Sequence, residues 1–357
     1  MTDLLYSETE DDLRAAVRSL VDARGDRAAL AARAETGSPG DPQLWTSLAA
    51  GIGAAGLLVP EKLGGQGASH REAAVVLEEL GRGVVAAPYL TSSVVATEVL
   101  LALGTETEAQ AGLLGALAEG RRTAVVAVPL STAPDGPLPD GGGRVSGVAD
   151  AAGADVLLVL RADGLYAVEA AQAEVEALTP LDLTRPLAAV TAPDGGTLLA
   201  DVAAGEAAVR RGLLAGAGLL ASEQLGLAEW CLEETVRHTG ERHQFNRPVG
   251  SFQALKHRMA QLWLEVVSAR AAARAAADAL ATGSPEAPLS VAVAQAYCSR
   301  VAVHAAEECV QLHGGIGMTW EHPAHLYLKR AKADEIALGA PGRHKEVLAG
   351  LVDLRAP

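Results

Sequence analysis

Two short segments of the chain combine residue types that can hold a phosphorylated ligand. In the first segment, Arg242 precedes Phe245 by three positions. A guanidinium is a planar fork of hydrogen-bond donors that suits a diphosphate, and an aromatic side chain can lie against a planar ligand ring. The same spacing also fits an arginine in a surface ion pair at a helix start, followed by a phenylalanine in the core.

The second segment places Gln311 just before three glycines, Gly314, Gly315 and Gly317. Glycine lets the backbone approach a ligand closely and reach positive φ. The bare N–H groups of such a loop can bind phosphate oxygens. The same glycines also fit the end of a long helix, where glycine is a common stop. The spacing alone leaves both interpretations open.

The hydrophobic pattern divides the chain into three zones that must position these two segments. Residues 1–120 show helical periodicity, residues 121–205 carry short apolar runs between Pro and Gly, and residues 206–357 are helical again. We expect one domain for each zone. The clearest predicted helices cover residues 8–24, 45–57, 71–81, 253–281 and 289–312. The predicted strands cover residues 123–128, 143–147, 155–160, 165–168 and 187–191.

Composition and charge exclude several classes of partner. The net charge of −15 argues against a nucleic-acid or anionic-membrane surface, because such partners need a basic patch. The three cysteines are too few and too scattered for a disulfide framework or a metal cage, which predicts reduced, buried thiols and no metal site. The sequence carries neither a secretion signal nor an apolar run of membrane-spanning length, so we expect a soluble cytoplasmic protein.

Two motifs give the chain a resemblance to the acyl-CoA dehydrogenase family. Residues 311–323 read QLHGGIGMTWEHP, and residues 241–253 read ERHQFNRPVGSFQ. The resemblance implies an α+β fold with an N-terminal helical domain, a middle β-barrel domain and a C-terminal helical bundle. It also implies FAD as the cofactor. The residues that match the family's contacts to a neighbouring subunit's FAD are Arg242, Gln244, Phe245, Gln311, Gly314 and Gly315.

The chain departs from the family where the family removes a proton from its substrate. The usual glutamate base is replaced by Leu338, and the alternative base position on an earlier helix falls on Gly216. Residues 128–136 also lack the family's flavin-gripping segment. We therefore assign no catalytic residue at the family positions. Glu223, in an otherwise apolar helix, is a weak candidate for a relocated base, while Asp334 and the residue after it fit a solvated helix face.

These retained and lost features predict one subunit of a heteromeric acyl-CoA dehydrogenase. A second acyl-CoA dehydrogenase-like chain would supply the base in an α2β2 hetero-oligomer, and this chain would complete the FAD site. The implied substrate is an acyl-CoA from fatty acid or sterol β-oxidation, and electrons would leave through an electron-transfer flavoprotein. Two alternatives remain open: a self-sufficient enzyme that uses Glu223, and a non-catalytic scaffold.

Overall fold

The N-terminal part of the chain is helical and wraps around one long helix from the C-terminal part. The computed structural model describes residues 4–24, 30, 32–33, 36 and 40–354. The helices here are α1 (Glu8–Arg24), α2 (Pro42–Thr46), α3 (His70–Gly83), α4 (Thr97–Leu103) and α5 (Glu108–Ala118). The helix predicted over 45–57 is wrong as a single element. After α2 the backbone forms a π-helical turn and a separate 3-10 turn, because Gly53 adopts positive φ between them.

The middle part consists of seven strands in two sheets. The strands are β1 (Ala124–Val126), β2 (Arg144–Ala149), β3 (Val156–Arg161), β4 (Gly164–Glu169), β5 (Glu174–Leu178), β6 (Leu187–Thr191) and β7 (Thr197–Ala200). One sheet has the order β1-β3-β4-β7 and the other has the order β2-β6-β5. Alternate residues of the two sheets, such as Leu157 and Val190, form a small core of their own. Strands β5 and β7 were not predicted, because most of their side chains are exposed and give no apolar run.

The C-terminal part contains the longest helices of the molecule. These are α6 (Val202–Glu241), α7 (Gln253–Ala281), α8 (Ala287–His313), α9 (Ala324–Ile336) and α10 (Pro341–Leu351). A two-stranded hairpin, β8 (His243–Gln244) and β9 (Arg247–Pro248), connects α6 to α7. The order of helices, strands and helices agrees with the predicted α+β class. Among the described helices, none combines the length and the apolar run that are needed to cross a bilayer.

Helix α6 is the centre of the fold and crosses α3 at very short range. A Cβ built on Gly226 would lie 1.9 Å from the carbonyl oxygen of Glu78, and one built on Gly81 would lie 2.1 Å from that of Glu223. The two backbones can pack this closely only because both positions are glycine. The three cysteines are buried and free, as predicted.

A methyl group at this crossing is expected to be costly. Gly226→Ala should lower the free energy of unfolding by about 2–3 kcal/mol, because the backbone of α3 cannot move away without opening the core. Gly112→Ala is the matched control, since a Cβ at Gly112 in α5 meets no atom within 4 Å. That control should be neutral or slightly stabilising. Urea unfolding curves of the two variants measure the difference, and equal midpoints would contradict the predicted close crossing.

Candidate functional site

The segment with Arg242 and Phe245 forms an exposed hairpin at the end of α6. Arg242 caps the helix by donating its backbone N–H to the carbonyl of His238, at 2.9 Å. Phe245 and Asn246 are the two turn residues, with φ of 52° and 62°. Both values lie in the left-handed region, as a type I′ hairpin turn requires, which is unusual for a phenylalanine.

The side chains of this hairpin project into solvent and are not part of a core. The side chain of Phe245 is 86% exposed. Its ring makes a T-shaped contact with the ring of Phe252, with centroids 6.1 Å apart. Arg242 and Gln244 are exposed as well. Within the described part of the chain, no carboxylate pairs with the Arg242 guanidinium. The spacing also allowed a surface ion pair and a core phenylalanine. The described part of the chain shows neither at these two positions.

The second segment lies at the end of α8, beside the end of α6. Gln311 is exposed in the last turn, and Gly314 ends the helix with φ of +63°. The loop Gly314–Met318 then makes a short 3-10 turn. A Cβ at Gly314 or at Gly315 would meet no atom within 4 Å, so the backbone at both positions is open to a ligand or to another chain. The glycines therefore both end the helix and leave the backbone accessible, so the two interpretations of this segment do not exclude each other.

The two segments share one edge of the molecule. His238, one turn before Arg242, stacks on His313 of α8 with ring centroids 4.2 Å apart. Beyond the loop, Met318 and Trp320 are 79% and 68% exposed. Guanidinium, amide, bare backbone and exposed apolar side chains therefore lie along one surface, which we call the ligand edge and define as residues 242–247 and 311–320. Such a mixed patch is typical of a binding surface.

The position expected for the family's usual base, Leu338, is enclosed by the chain's own atoms. Leu338 is only 3% exposed, with φ of +53°. Its backbone N–H donates to the carbonyl of Leu130 at 2.7 Å, and its carbonyl lies 3.0 Å from Nε2 of His344. A Cβ at Gly216 would lie 3.2 Å from Cδ1 of Leu338, so the two expected base positions face each other. Neither position offers an atom that can accept a proton.

The space left around Leu338 is too small for a substrate. The cavity has a volume of about 30 Å³ and is lined mainly by apolar side chains, including Leu90, Val95, Leu130 and Leu213. That volume accommodates about one water molecule. The next residue, Gly339, packs closely against Ala133, since a Cβ built on Gly339 would lie 3.0 Å from Cβ of Ala133. An isoalloxazine ring or a thioester cannot enter without displacing this packing.

Glu223 is buried in a network of charges. Arg185 donates to both of its oxygens, at 2.5 and 2.7 Å, and Arg330 donates to Oε1 at 2.6 Å. Burial raises the pKa of Glu223, but the two guanidinium groups outweigh it and set the pKa below its ordinary value. The carboxylate is ionised, fully occupied and sealed from solvent. This environment disfavours the role of a general base, which needs a free lone pair near a substrate.

The same network corrects the expectation for Asp334. The helical pattern predicted a solvated face, but Asp334 is completely buried and accepts from Arg185 at 2.9 Å. Burial raises the pKa of Asp334 well above its ordinary range, and the charge of Glu223 adds to this effect. Three acids, with Asp182 as the third, share the two guanidinium groups of Arg185 and Arg330, so ionisation of all three would leave one excess negative charge in the interior.

The residues present fit FAD at the ligand edge but not in the chain's own cleft. The cleft around Leu338 is filled, as described above. At the ligand edge, in contrast, Arg242 and Gln311 offer donors, the glycines offer accessible N–H groups, and Phe245 offers a free ring face. A flavin nucleotide held mainly by another chain could use these groups without any rearrangement here.

Sequence reasoning missed a cluster of side chains directly behind the ligand edge. His313 lies between His238 and His322, and Glu234 lies beside the rings of His313 and His322. The available signal was the i, i+4 spacing of Glu234 and His238 on α6 and the two histidines on either side of the glycine loop. It also missed the pairing of residues 130 and 338, which lie far apart in the sequence and carry no polar side chain.

Comparison with known proteins follows the same division of the chain. The family model described as acyl-CoA dehydrogenase, N-terminal domain, matches residues 7–121. The model described as acyl-CoA dehydrogenase, C-terminal domain, matches residues 203–351. Acyl-CoA dehydrogenase IpdE2 of Mycolicibacterium smegmatis is 38% identical over 336 residues, which cover 94% of this chain and 96% of the relative.

Two similar solved structures are described as pairs of different chains. The crystal structure of the ChsE4-ChsE5 complex from Mycobacterium tuberculosis matches with a TM-score of 0.86 and 25% identity, and the match covers 100% of both chains. A variant of the Tcur3481-Tcur3483 steroid ACAD matches with a TM-score of 0.82 and 28% identity, covering 97% of this chain and 98% of the other. The fold predicted from the resemblance is thereby confirmed.

Proposed function

Because this chain belongs to the acyl-CoA dehydrogenase family, we propose that it is the subunit of a heteromeric acyl-CoA dehydrogenase that does not carry the catalytic base. FAD is the cofactor of the family and supplies the hydride acceptor for α,β-dehydrogenation of a CoA thioester. In the proposed complex, the partner chain supplies the carboxylate that removes the α-proton. This chain completes the flavin site from the ligand edge.

The observation that carries the proposal is the closed cleft. Leu338 fills the position of the usual base, its N–H is bonded to Leu130, and Gly216 packs against its side chain. A chain that catalysed the reaction alone would need both a base and a space for the thioester beside it. The contrast with the open ligand edge supports a role in a flavin site that belongs mainly to the partner.

The ligand edge offers a specific task to each side chain. Arg242 can donate two parallel hydrogen bonds to a diphosphate, and Gln311 can donate its amide. The N–H groups near Gly314 and Gly315 are accessible for phosphate oxygens, because a Cβ at either position would meet no neighbour. Phe245, held outward by its turn, can lie against a ring of the nucleotide. None of these contacts transfers a proton.

The partner and the substrate class are inferred from the similar complexes. Both solved pairs join two different chains, and one is described as a steroid ACAD. We infer that this chain pairs with a second acyl-CoA dehydrogenase-like chain in an α2β2 assembly. The substrate is a CoA thioester that comes from a sterol or a fatty acid, and an electron-transfer flavoprotein takes up the electrons.

Two alternatives predict different flavin contents. A self-sufficient enzyme would need Glu223 as its base, which the two arginines around that carboxylate disfavour. A scaffold subunit would keep the assembly but contribute nothing to flavin binding. The discriminating measurement is the flavin absorbance of the chain purified alone and after co-expression with the acyl-CoA dehydrogenase-like chain encoded beside it. We expect flavin only in the pair, at about one FAD per two chains, as half-site occupancy requires.

Removing the Arg242 guanidinium should weaken FAD binding although the partner is unchanged. The Arg242→Ala pair is expected to bind FAD about tenfold more weakly, because a charge-assisted bond to phosphate contributes about 1.5–3 kcal/mol. Fluorescence titration of the stripped pair with FAD measures the change. Arg144→Ala, which removes an equally accessible guanidinium from β2, serves as the control. Equal affinities for the two variants would contradict the role of the ligand edge.

A further inference from the structure

Three imidazole rings stack in a row where the ends of α6 and α8 meet, and one carboxylate lies beside two of them. The ring centroid of His313 lies 4.2 Å from that of His238 and 4.1 Å from that of His322. Oε1 of Glu234 lies 3.7 Å from Nε2 of His313 and 3.5 Å from Nε2 of His322. The side chain of His313 has no exposed surface. We call these four residues the histidine cluster.

The histidine cluster holds both ends of the glycine loop at the ligand edge. His313 is the last residue of α8 and directly precedes the loop Gly314–Met318, whereas His322 follows it. Inside the loop, a Cβ at Gly317 would lie 2.9 Å from Cβ of His313. The loop is thus folded tightly onto the ring that Glu234 holds. The contact between Gly317 and His313 links this ring to the backbone of the loop.

The hydrogen bonds of His313 show that this contact needs two protons on the ring. Nδ1 lies 2.6 Å from the carbonyl oxygen of Cys309, which can only accept, so Nδ1 carries a hydrogen. A neutral ring would then turn the lone pair of Nε2 toward the Glu234 carboxylate, and two acceptors repel. Nε2 has no hydrogen-bond partner within bonding distance among the described residues. Only the imidazolium places an N–H between the ring and the carboxylate.

The surroundings favour a single proton, located on His313. Burial lowers the pKa of His313, but contacts with Cys309 and Glu234 outweigh it and raise the pKa above its ordinary value. Burial, and then the charge of His313, lowers the pKa of both His238 and His322. The position at the C-terminus of α8 also favours a cation. Of the three rings, His313 is therefore the one that binds a proton most readily.

The other groups that face the cluster keep their charges or compete for this proton. Burial raises the pKa of Glu234, but Arg237 and the histidines lower it to about 2, so the carboxylate stays ionised. From α8, Cys309 faces the ring at 3.7 Å, and a hydrogen bond from Cys231 lowers the pKa of that thiol. The contributions of the Glu234 carboxylate and of the Cys309 thiol must therefore be tested separately.

The same contacts argue against a metal ion as the occupant. Nδ1 of His322 accepts the N–H of Ala324 at 3.2 Å, so its hydrogen is on Nε2 and no lone pair there faces the cluster. Arg237 already donates to both oxygens of Glu234, at 2.5 and 2.9 Å. A metal ligand needs a free lone pair, which Nε2 of His322 lacks, and a metal ion at Glu234 would compete with the Arg237 guanidinium.

We propose that Glu234 and His313 are positioning residues that hold the loop Gly314–Met318 against the partner's flavin, so that FAD retention depends on the proton between them. This inference rests on the proposed function. The ion pair is intact below the ordinary imidazole pKa and is lost as the pH rises through the raised value of His313. Above that pH the loop loses its anchor, and FAD should leave faster.

The test is the rate of FAD release from the co-purified pair after dilution, followed by flavin fluorescence. For the unchanged pair, the rate is expected to rise about fivefold between about pH 6 and about pH 9, where imidazole titrates. For Glu234→Gln, release should be fast at both ends of the range and independent of pH, since a neutral amide forms no ion pair with the imidazolium and so leaves none to be lost as the pH rises. Glu233→Gln, a charge-matched control on the exposed side of α6 that removes only a pair with Arg82, should behave like the unchanged pair.

A second pair of variants separates the acids and guards against misfolding. Cys309→Ala removes the thiol, which contributes more than Glu234 to the raised pKa of His313, so the pH dependence should remain but shift to lower pH. If this variant abolished the pH dependence while Glu234→Gln kept it, the role of Glu234 would be overturned. His304→Gln, a histidine on α8 that pairs with Glu265 elsewhere, should have no effect. If Arg242→Ala released FAD while Glu234→Gln kept the normal rate and pH profile, only the positioning role would fail. If neither variant changed release, the proposed function itself would fail.

Discussion

A glutamate introduced at position 338 is expected to destabilise the chain and not to create a dehydrogenase. Leu338 is buried among apolar side chains, with Gly216 and Leu130 in contact and room for about one water molecule. A carboxyl in such a place gains no partner and loses its hydration. If its pKa rises by about three units, Leu338→Glu lowers the free energy of unfolding by about 4 kcal/mol once the pH exceeds that raised pKa.

The sign of the pH dependence makes this prediction specific. A carboxyl whose pKa is higher in the folded state than in the unfolded chain destabilises more as the pH rises, from about 4.5 upward. Urea unfolding at about pH 5 and about pH 8 measures the difference, and Leu338→Met, which conserves volume, should cost less than about 1.5 kcal/mol. Bound FAD together with acyl-CoA oxidation by the single Leu338→Glu chain would instead mean that the cleft can open. The proposed division of labour would then be wrong.

Replacing Arg330 with methionine is expected to have the largest effect on stability. Arg330 is 2% exposed and donates to Asp182, to Glu223 and to Thr184. Removing its charge leaves two buried carboxylates with too few partners, which costs about 3–5 kcal/mol. The comparison is with Lys332→Met, on the exposed side of the same helix, where paired surface charges contribute less than about 1 kcal/mol.

A second substitution tests the cause of this loss. If uncompensated charge is responsible, adding Glu223→Gln to Arg330→Met should recover part of the stability. The double variant has one unpaired buried carboxylate fewer than the single variant. If the loss comes only from the cavity that the long side chain leaves, the double variant should be less stable than the single one. Thermal unfolding of all three variants under one buffer condition decides between the two causes.

Elements with local signals were predicted well from the sequence. Helix α7 was expected over residues 253–281 and is found as Gln253–Ala281. Helix α1 was expected over 8–24 and is found as Glu8–Arg24, where acidic residues fill the first turn and an arginine the last. The periodicity, the end residues and the neighbouring breakers all lie within the segment. Such elements need no knowledge of the rest of the fold.

The site was only partly predictable because its decisive contacts join distant segments. The exposed hairpin and the glycine loop could be proposed from motifs, but the contact between Leu338 and Gly216 depends on how α6 meets the chain before α10. Likewise, the apolar sequence around Glu223 indicated an unusual carboxylate. Its two arginines come from the segment after β5 and from α9, and no local pattern identifies them. Burial of Asp334 reversed its expected role for the same reason.

The hydrogen bond between Leu130 and Leu338 has a consequence for how the subunit responds to nutrient supply. A ligand stabilises only the species that binds it, so a protein with an empty, ligand-shaped hole loses stability when the ligand is scarce. This chain fills the corresponding space with its own side chains. When riboflavin, the precursor of FAD, is scarce, we therefore expect the assembled pair to become less stable while this polypeptide stays folded. The folded chain could then bind its partner again once FAD is available.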